Sequence, residues 1–117
     1  MAKVTGIVYI KINGELLESM PGATLEFGGV EREPVITTRV AGYTEKVKEA
    51  MVSCKIAHTA DTDLPKIGET VDSTLEFECD TGTTYVVSNA WLAKPPKLSG
   101  DGEGVELEFM GEPAFQA

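Results

Sequence analysis

Histidine is scarce in this 117-residue sequence, and so are recognisable nucleophile motifs. His58 is the only histidine, and it follows a predicted strand, beside Thr59. A hydrolase or transferase of this size would normally show a nucleophile together with a plausible base. A lone histidine at a strand end is far more often structural or solvated than catalytic. The sequence therefore predicts a protein that is not an enzyme.

Basic residues are also few. Ten lysines and arginines stand against nineteen aspartates and glutamates, which gives a formal net charge of -9 at pH 7. Such a chain repels phosphate and offers no basic stripe for counterion release on DNA or RNA, which argues against tight nucleic-acid binding. A channel with an acidic wall would suit the passage of a polyanion, because the wall repels the polyanion and does not bind it.

Long apolar runs are absent as well. No run approaches the roughly 20 residues that span a bilayer, and residues 1–6 lead into an alternating segment rather than the apolar core of a signal peptide. We expect no membrane insertion and a protein made and kept in a cytoplasm. The two cysteines, Cys54 and Cys79, lack the close paired spacing of a zinc site. In a reducing compartment such thiols are usually small buried apolar groups.

The residues that are present suffice for one folded domain. The apolar fraction of 42% and the charged fraction of 25% are ordinary for a globular protein, so wholesale disorder is not expected. No break in composition divides the chain, and we predict a single domain over residues 1–117. Because so short a chain buries a smaller share of its surface than a large domain does, oligomerisation is expected.

The dominant hydrophobic period is two, which predicts an all-β fold. Asn13-Gly14 supplies the positive φ values of a tight turn between two strands, and Asp80-Thr81-Gly82 turns the chain between two more. A last strand is predicted after the glycine-rich turn at residues 100–104. The alternating apolar positions are Val8, Ile10, Ile12, Leu25, Phe27, Ala50, Val52, Cys54, Ile56, Leu75, Phe77, Cys79, Val105, Leu107 and Phe109.

The middle of the chain is less regular. Pro34 bars a central ladder position, so residues 28–42 predict an edge strand or a long, exposed, flexible segment. A helix over residues 44–51 is a minority interpretation. Residues 61–68 carry an acidic N-cap candidate and a closing glycine, which predict a helix of one or two turns. The tail from residue 111 onward is expected to be mobile until something binds it.

Three further patterns have simpler structural explanations than chemical ones. Asp61 and Asp63 lack the spacing of a calcium-binding EF-hand and fit helix capping. Residues 100–104 are glycine-rich but acidic, and no lysine follows, so they predict a turn rather than a phosphate-binding loop. Trp91 is typical of a core position or a subunit contact in a small β-domain. We therefore expect no metal and no cofactor.

Five short pieces in a fixed order carry a family resemblance. They are the Asn13-Gly14 turn, Gly28-Gly29-Val30-Glu31-Arg32-Glu33, Gly42-Tyr43-Thr44-Glu45-Lys46, Thr81-Gly82-Thr83-Thr84-Tyr85-Val86-Val87-Ser88-Asn89-Ala90-Trp91, and the strand from Glu103 to Phe109. As an ordered set that covers nearly the whole chain, they resemble the tail tube proteins of Mu-like contractile phages and prophages. Residues 49–55 and 94–97 depart from that pattern.

The resemblance implies an antiparallel β-sandwich or barrel with one short helix, whose strands join those of neighbouring subunits in a ring. Hexameric rings would stack into a tube inside the contractile sheath of a virion tail, assembled in the host bacterial cytoplasm. The lumen would hold the tape measure protein, and would then conduct DNA during ejection without binding it specifically.

The resemblance also implies roles for particular residues. The segment 28–42 would reach a neighbouring subunit and ring, which makes the following residues interface candidates: Gly29, Glu31, Arg32, Glu33, Arg39 and Tyr43. Exposed ion pairs in such a segment contribute only about 0–1 kcal/mol each. Glu76 and Glu78 are candidates for the lumen. Cys54 and Cys79 are candidates for an inter-subunit disulfide, with two buried thiols as the alternative.

Other functions remain open from the sequence alone. A type VI secretion tube protein would share the ring-forming logic. A monomeric β-sandwich module could instead capture a peptide or small ligand along the Pro34 edge or near Trp91. A small enzyme is the least favoured, given the single histidine.

Overall fold

The computed structural model describes residues 2–117, which form eleven β-strands and one short helix. The strands are β1 (Val8–Ile12), β2 (Glu15–Leu17), β3 (Thr24–Glu26), β4 (Gly29–Ile36), β5 (Val40–Lys48), β6 (Ala50–Ile56), β7 (Ser73–Cys79), β8 (Thr84–Leu92), β9 (Lys97–Leu98), β10 (Val105–Gly111) and β11 (Phe115–Gln116). The helix α1 (Leu64–Gly68) lies between β6 and β7. All of the strand pairs are antiparallel, which confirms the predicted fold class.

Both predicted hairpins are present. Asn13 and Gly14 adopt φ values of 50° and 84° between β1 and β2, and Gly82 has a φ of 97° between β7 and β8. The Asn13 side chain also ties the first hairpin to β7. Its Oδ1 accepts from the Thr74 amide at 3.0 Å, and its Nδ2 donates to the Ser73 hydroxyl at 3.2 Å.

The main sheet closes on itself. Its strand order is β2-β1-β7-β8-β10-β6-β3, with β11 beside β8 and β9 beside β10. The residues between β2 and β3 run alongside β6: the Met20 amide donates to the Lys55 carbonyl at 2.6 Å, and the Ala57 amide donates to the Glu18 carbonyl at 3.1 Å. The two ends of the sheet are thus joined by one stretch of chain, which encloses the core.

Strand β8 bends between the two halves of this sheet. Its residues up to Ala90 pair with β7 and β11, whereas Trp91 and Leu92 at its end pair with β10. Asn89 has a φ of 51° at the bend. Gly111 packs under it, since a Cβ there would lie 2.5 Å from Cγ1 of Val87. A glycine at this position allows the two halves to face each other as layers.

The core follows the predicted period of two. Every second residue of β6 and β10 is buried, and so is every second residue of β7 up to Phe77. The largest fully buried side chains are Phe109, Ile10, Leu75, Leu107, Val52, Val87 and Val105. Burial of such a side chain contributes about 1.5–3 kcal/mol. The alternation read from the sequence therefore identifies the inward face correctly.

The short helix is confirmed, and two other expectations are wrong. Asp63 caps α1 by accepting a hydrogen bond from the Lys66 amide at 3.1 Å. The minority helix over residues 44–51 is not formed, because these residues, apart from Glu49, belong to β5 and β6. The tail is also more ordered than predicted, since Phe115 and Gln116 pair with β8.

The molecule is elongated. Its radius of gyration is 17.0 Å and its principal extents are 61 × 40 × 27 Å, whereas a compact chain of this length has a radius of gyration of about 13 Å. Strands β4 and β5 form a separate two-stranded sheet that accounts for this shape. Among residues 2–117, no helix has the length and apolar character needed to cross a membrane.

Candidate functional site: an exposed two-stranded arm

Residues 29–48 form an arm made of β4 and β5. The arm continues the pairing of β3 with β6 in one register, because Glu26 lies opposite Met51 and Gly29 lies opposite Lys48. All of its residues are exposed except Gly29 and Gly42, which are half-buried. The sequence predicted an edge strand or a flexible segment over residues 28–42. The structure shows a paired ribbon that is longer than predicted.

Gly28 lies where the arm leaves the body. Its φ is 69°, a left-handed value that favours glycine, and a Cβ there would lie 2.5 Å from the Glu49 backbone and 2.6 Å from the Lys48 carbonyl. The backbone at Gly28 therefore packs directly against the backbone of residues 48 and 49. This close approach sets the direction in which the arm projects.

One face of the arm is largely apolar. Val30 lies opposite Val47, and Pro34 lies opposite Tyr43, so these four side chains share a face. Val47 is 83% exposed and Tyr43 is 62% exposed. Arg32 and Glu45 lie opposite each other on the same face, between the two apolar pairs. The guanidinium carbon of Arg32 lies 5.8 Å from the centre of the Tyr43 ring. A two-stranded ribbon cannot bury such a face by itself, so in the single chain the face stays exposed.

The charges of the arm pair within the arm. Nε of Arg32 lies 3.8 Å from Oε1 of Glu45, and Nζ of Lys46 lies 3.5 Å from Oε1 of Glu33. All four side chains are about half exposed or more, so each pair contributes at most about 1 kcal/mol. The predicted interface residues Gly29, Glu31, Arg32, Glu33, Arg39 and Tyr43 all lie on the arm or at its tip. Their role between subunits stays a prediction.

The arm also differs in charge from the rest of the chain. Residues 29–48 hold three acidic and four basic side chains, a net charge of +1, whereas the remaining residues hold sixteen acidic and six basic ones, a net charge of -10. An acidic protein thus carries one slightly basic projection.

The cysteines occupy different environments. Cys54 faces the core and is 5% exposed, and burial raises the pKa of its thiol to about 12. Cys79 is half-buried, and both cysteines are free. The burial of Cys54 argues against the predicted inter-subunit disulfide, because its sulfur would have to leave the core to reach another chain. It favours the alternative of a buried apolar thiol.

Glu76 and Glu78, the lumen candidates, lie on the outer face of β7. The buried side chains of the alternate residues Leu75 and Phe77 point inward, so the two glutamates point outward and are half-buried. Oε2 of Glu78 lies 3.2 Å from Nζ of Lys11 on β1. The acidic character of this face is therefore partly neutralised within the chain.

The other residues whose side chains could take part in catalysis or metal binding do not lie together. His58 is exposed beyond the end of β6. A hydrogen bond from the Ser99 hydroxyl and one from the Glu103 amide lower the pKa of Asp101, which lies in an exposed turn. Within residues 2–117, no three His, Cys, Asp or Glu side chains are grouped closely enough to hold a metal ion.

The sequence did not reveal the apolar face itself. Val30, Val47 and Pro34 were not among its interface candidates, and only Tyr43 was. The signal that could have found them is the register of β4 against β5, which places residues from opposite ends of the segment side by side. Pro34 concealed this register, because proline in a strand weakens the expectation of pairing.

The fold and the arm together define a class of protein: a β-sheet subunit with an apolar surface left open for a partner. The chain belongs to the phage tail tube protein family, which matches residues 1–116. It is 39% identical over 107 residues to the tail tube protein of Escherichia phage Mu, covering 92% of this chain and 89% of that protein. It is 40% identical over 98 residues to a Mu-like prophage FluMu tail tube protein of Haemophilus influenzae, covering 84% and 83%. The resemblance read from the sequence is confirmed.

Proposed function

We propose that this chain is the structural subunit of a phage tail tube. In this proposal the residues from 1 to 117 act as one domain, copies associate as hexameric rings, and the rings stack into a hollow tube in the virion tail. The family match and the two relatives support the tail tube role. They also favour a phage tube over a type VI secretion tube, because both relatives are phage or prophage proteins. The chain acts by assembling, not as an enzyme.

The arm is the single observation that carries this proposal. Its Val30, Val47 and Tyr43 side chains are between 49% and 83% exposed. Fully burying one such side chain contributes roughly 1.5–3 kcal/mol. A neighbouring subunit that covers the face would gain part of this energy from each of the three side chains, in proportion to the area still exposed. Because the arm is already paired, little further ordering would oppose the contact.

The arm would reach a neighbouring subunit in the same ring or in the next ring. Strand edges of the body would join those of adjacent copies, so that the ring removes the exposed edges by closure. When one surface of a chain binds a different surface of its copy, a ring forms if the rotation between copies closes, and an open filament forms if it does not.

The charge of the chain suits the proposed lumen. A net charge of -9 repels the DNA backbone, so DNA would move through the tube during ejection without specific binding. Glu76 and Glu78 are the candidates for this wall. Before ejection the lumen would hold the tape measure protein, and the outer wall would contact the tail sheath protein. Assembly would take place in the host bacterial cytoplasm.

Electron microscopy of the purified protein at high concentration tests the proposal, with analytical ultracentrifugation on the same sample. We expect rings or hollow tubes, with sixfold symmetry in end views. A species that stays monomeric at every concentration, and forms no tubes after seeding with tail fragments, would instead support a monomeric binding module.

A further inference from the structure

A second apolar surface lies on the outer face of the body. Met51 on β6 pairs with Met110 on β10, and Met110 pairs with Trp91 at the end of β8. The side chains of the adjacent residues Val52 and Phe109 are buried, so these three point outward. Trp91 is 40% exposed, and both methionines are half-buried. We call this row the Trp91–Met110–Met51 stripe.

The stripe is continuous, unlike the apolar residues on the opposite side of the body. There the cross-strand row begins at Leu16 and ends at Phe115, but Lys11 and Glu76 interrupt it. Aromatic residues and methionine are enriched at the centres of protein interfaces, where charged residues are depleted. The stripe therefore has the composition of an interface centre.

The dimensions of the arm and the stripe agree. On the arm, the Val30–Val47 pair and the Pro34–Tyr43 pair are four residues apart, which is about 13 Å along a strand. The stripe crosses three adjacent strands, which is about 10 Å. Within one chain the two surfaces do not cover each other, because Val47, Tyr43 and Trp91 are all exposed.

Charge selects the body of another copy over a second arm as the partner. The arm has a net charge of +1 and the remaining residues have a net charge of -10. Two arms would not attract each other, whereas an arm and a body would. Glu26 lies at the end of the stripe, opposite Met51. An incoming arm would bring Arg32, which lies 3.8 Å from Glu45 in its own chain, next to this carboxylate.

From these observations we infer that the apolar face of the arm of one copy docks on the Trp91–Met110–Met51 stripe of the next copy. The inference rests on the proposed function and names the surface that receives the arm. A contact between two different surfaces is heterologous, so each copy still has a free arm or a free stripe after the contact forms. Such contacts continue until a ring closes or a filament grows, whereas a contact between two arms would stop at a dimer.

Trp91 is the only tryptophan in the chain, so its fluorescence reports directly on the stripe. We expect the emission to shift to shorter wavelength when the unmodified protein assembles, and quenching by acrylamide to fall severalfold. Electron microscopy of the same sample shows whether tubes are present. Tubes in which Trp91 emits and is quenched as in the free subunit would overturn the inference and leave the proposed function intact.

Disulfide trapping identifies what covers the stripe. In a Cys79→Ser background, Val47→Cys and Met110→Cys are combined, and the assembled protein is oxidised. We expect a ladder of cross-linked dimers, trimers and larger species. Each variant with only one introduced cysteine should stay monomeric on a denaturing gel, because the remaining Cys54 is buried. The matched control combines Val47→Cys with Leu16→Cys, which places the second thiol on the opposite side of the body.

The outcomes separate the two proposals. A ladder from Val47→Cys with Met110→Cys but not from the control, together with shielded Trp91, supports the inference. Tubes that cross-link through Leu16→Cys, or through Val47→Cys alone, show that the arm docks elsewhere and overturn it. If no tubes form under any condition, the inference and the proposed function both fail.

Discussion

Gly28 has a left-handed backbone conformation and also lies very close to the backbone of Glu49. Substitutions can separate the effects of these two constraints. Gly29, its neighbour, also has a positive φ, of 101°, but has open space around its Cβ position. We expect Gly29→Ala to lower the free energy of unfolding by about 1–2 kcal/mol through backbone strain alone. Gly28→Ala should cost roughly 1–3 kcal/mol more, because its Cβ would meet the backbone of Glu49.

Urea unfolding of the two variants beside the parent protein measures this difference. Equal losses for the two substitutions would show that the close approach at Gly28 is relieved without cost. Such a result would also mean that Gly28 does not fix the direction of the arm.

Burial of Cys54 makes the stability of the folded protein depend on pH. Its thiol pKa is about 12 in the folded protein against 9.0 for an ordinary thiol, because burial disfavours the thiolate. The unfolded chain therefore loses this proton first as the pH rises. The stabilisation is complete below pH 9 and is lost between pH 9 and 12, at up to about 1.4 kcal/mol per pH unit.

Cys54→Ala serves as the matched control for this effect, since it removes the thiol and leaves the other titrating groups. From pH 8 to pH 10 the parent protein should lose about 1.4 kcal/mol more of its free energy of unfolding than the variant loses. Unfolding in urea at several pH values measures both curves. Parallel curves would contradict a buried, protonated thiol at position 54.

At the scale of elements, the arm should be dispensable for folding and required for assembly. Tyr43 and Val47 lie on its exposed apolar face. Replacing both with serine should change the free energy of unfolding by less than about 1 kcal/mol, as is usual for exposed positions. The protein concentration required for assembly should rise at least tenfold, since the lost burial is worth more than about 1.4 kcal/mol. Sedimentation velocity over a concentration series measures it.

The charged residues of the arm provide the comparison for that experiment. Glu33→Gln with Lys46→Gln removes an exposed ion pair and leaves the apolar face intact. We expect only a small change in assembly, because such pairs contribute little. If this double variant blocked assembly while the serine variant assembled normally, ion pairs rather than apolar burial would drive the contact.

The elements also show which features could be predicted from the sequence. Hairpins with local turn signals, such as Asn13-Gly14, were predicted correctly, and so was the helix capped by Asp63. For the second half of strand β5, a helix over residues 44–51 remained as a minority interpretation. Its alternation is weak because both faces are exposed, and the pairing that stabilises it runs to β4 across a turn. Periodicity reports burial, so it says little about a ribbon that its own chain does not bury.

At the scale of the whole molecule, two features could not be predicted from the sequence. The closure of the sheet depends on residues 18–20 crossing to β6, and the Trp91–Met110–Met51 stripe depends on the registers of three strands. Neither leaves a local signal, because the partners lie far apart in the chain. The family resemblance predicted the β-sheet architecture. The registers between strands in the structure then showed which side chains share a surface.

Net charge gives a last prediction at this scale. Each copy has a charge of -9, so copies repel one another over the Debye length, about 30 Å at 0.01 M salt and about 8 Å at 0.15 M. The concentration required for assembly should therefore fall as sodium chloride rises from 0.01 to 0.15 M. Above this range it should change little, because burial of the apolar face is not screened.

The control for this prediction is a variant with less charge to screen. Glu15→Gln, Glu18→Gln and Asp61→Asn replace three exposed acidic residues outside the arm and the stripe, which changes the net charge from -9 to -6. Its assembly should depend less steeply on salt, as measured by sedimentation at each ionic strength. The opposite slope, with assembly strongest at 0.01 M salt, would mean that attraction between the basic arm and the acidic body outweighs the repulsion between whole subunits. In that case the charge of the arm, rather than its apolar face, would be the main source of affinity.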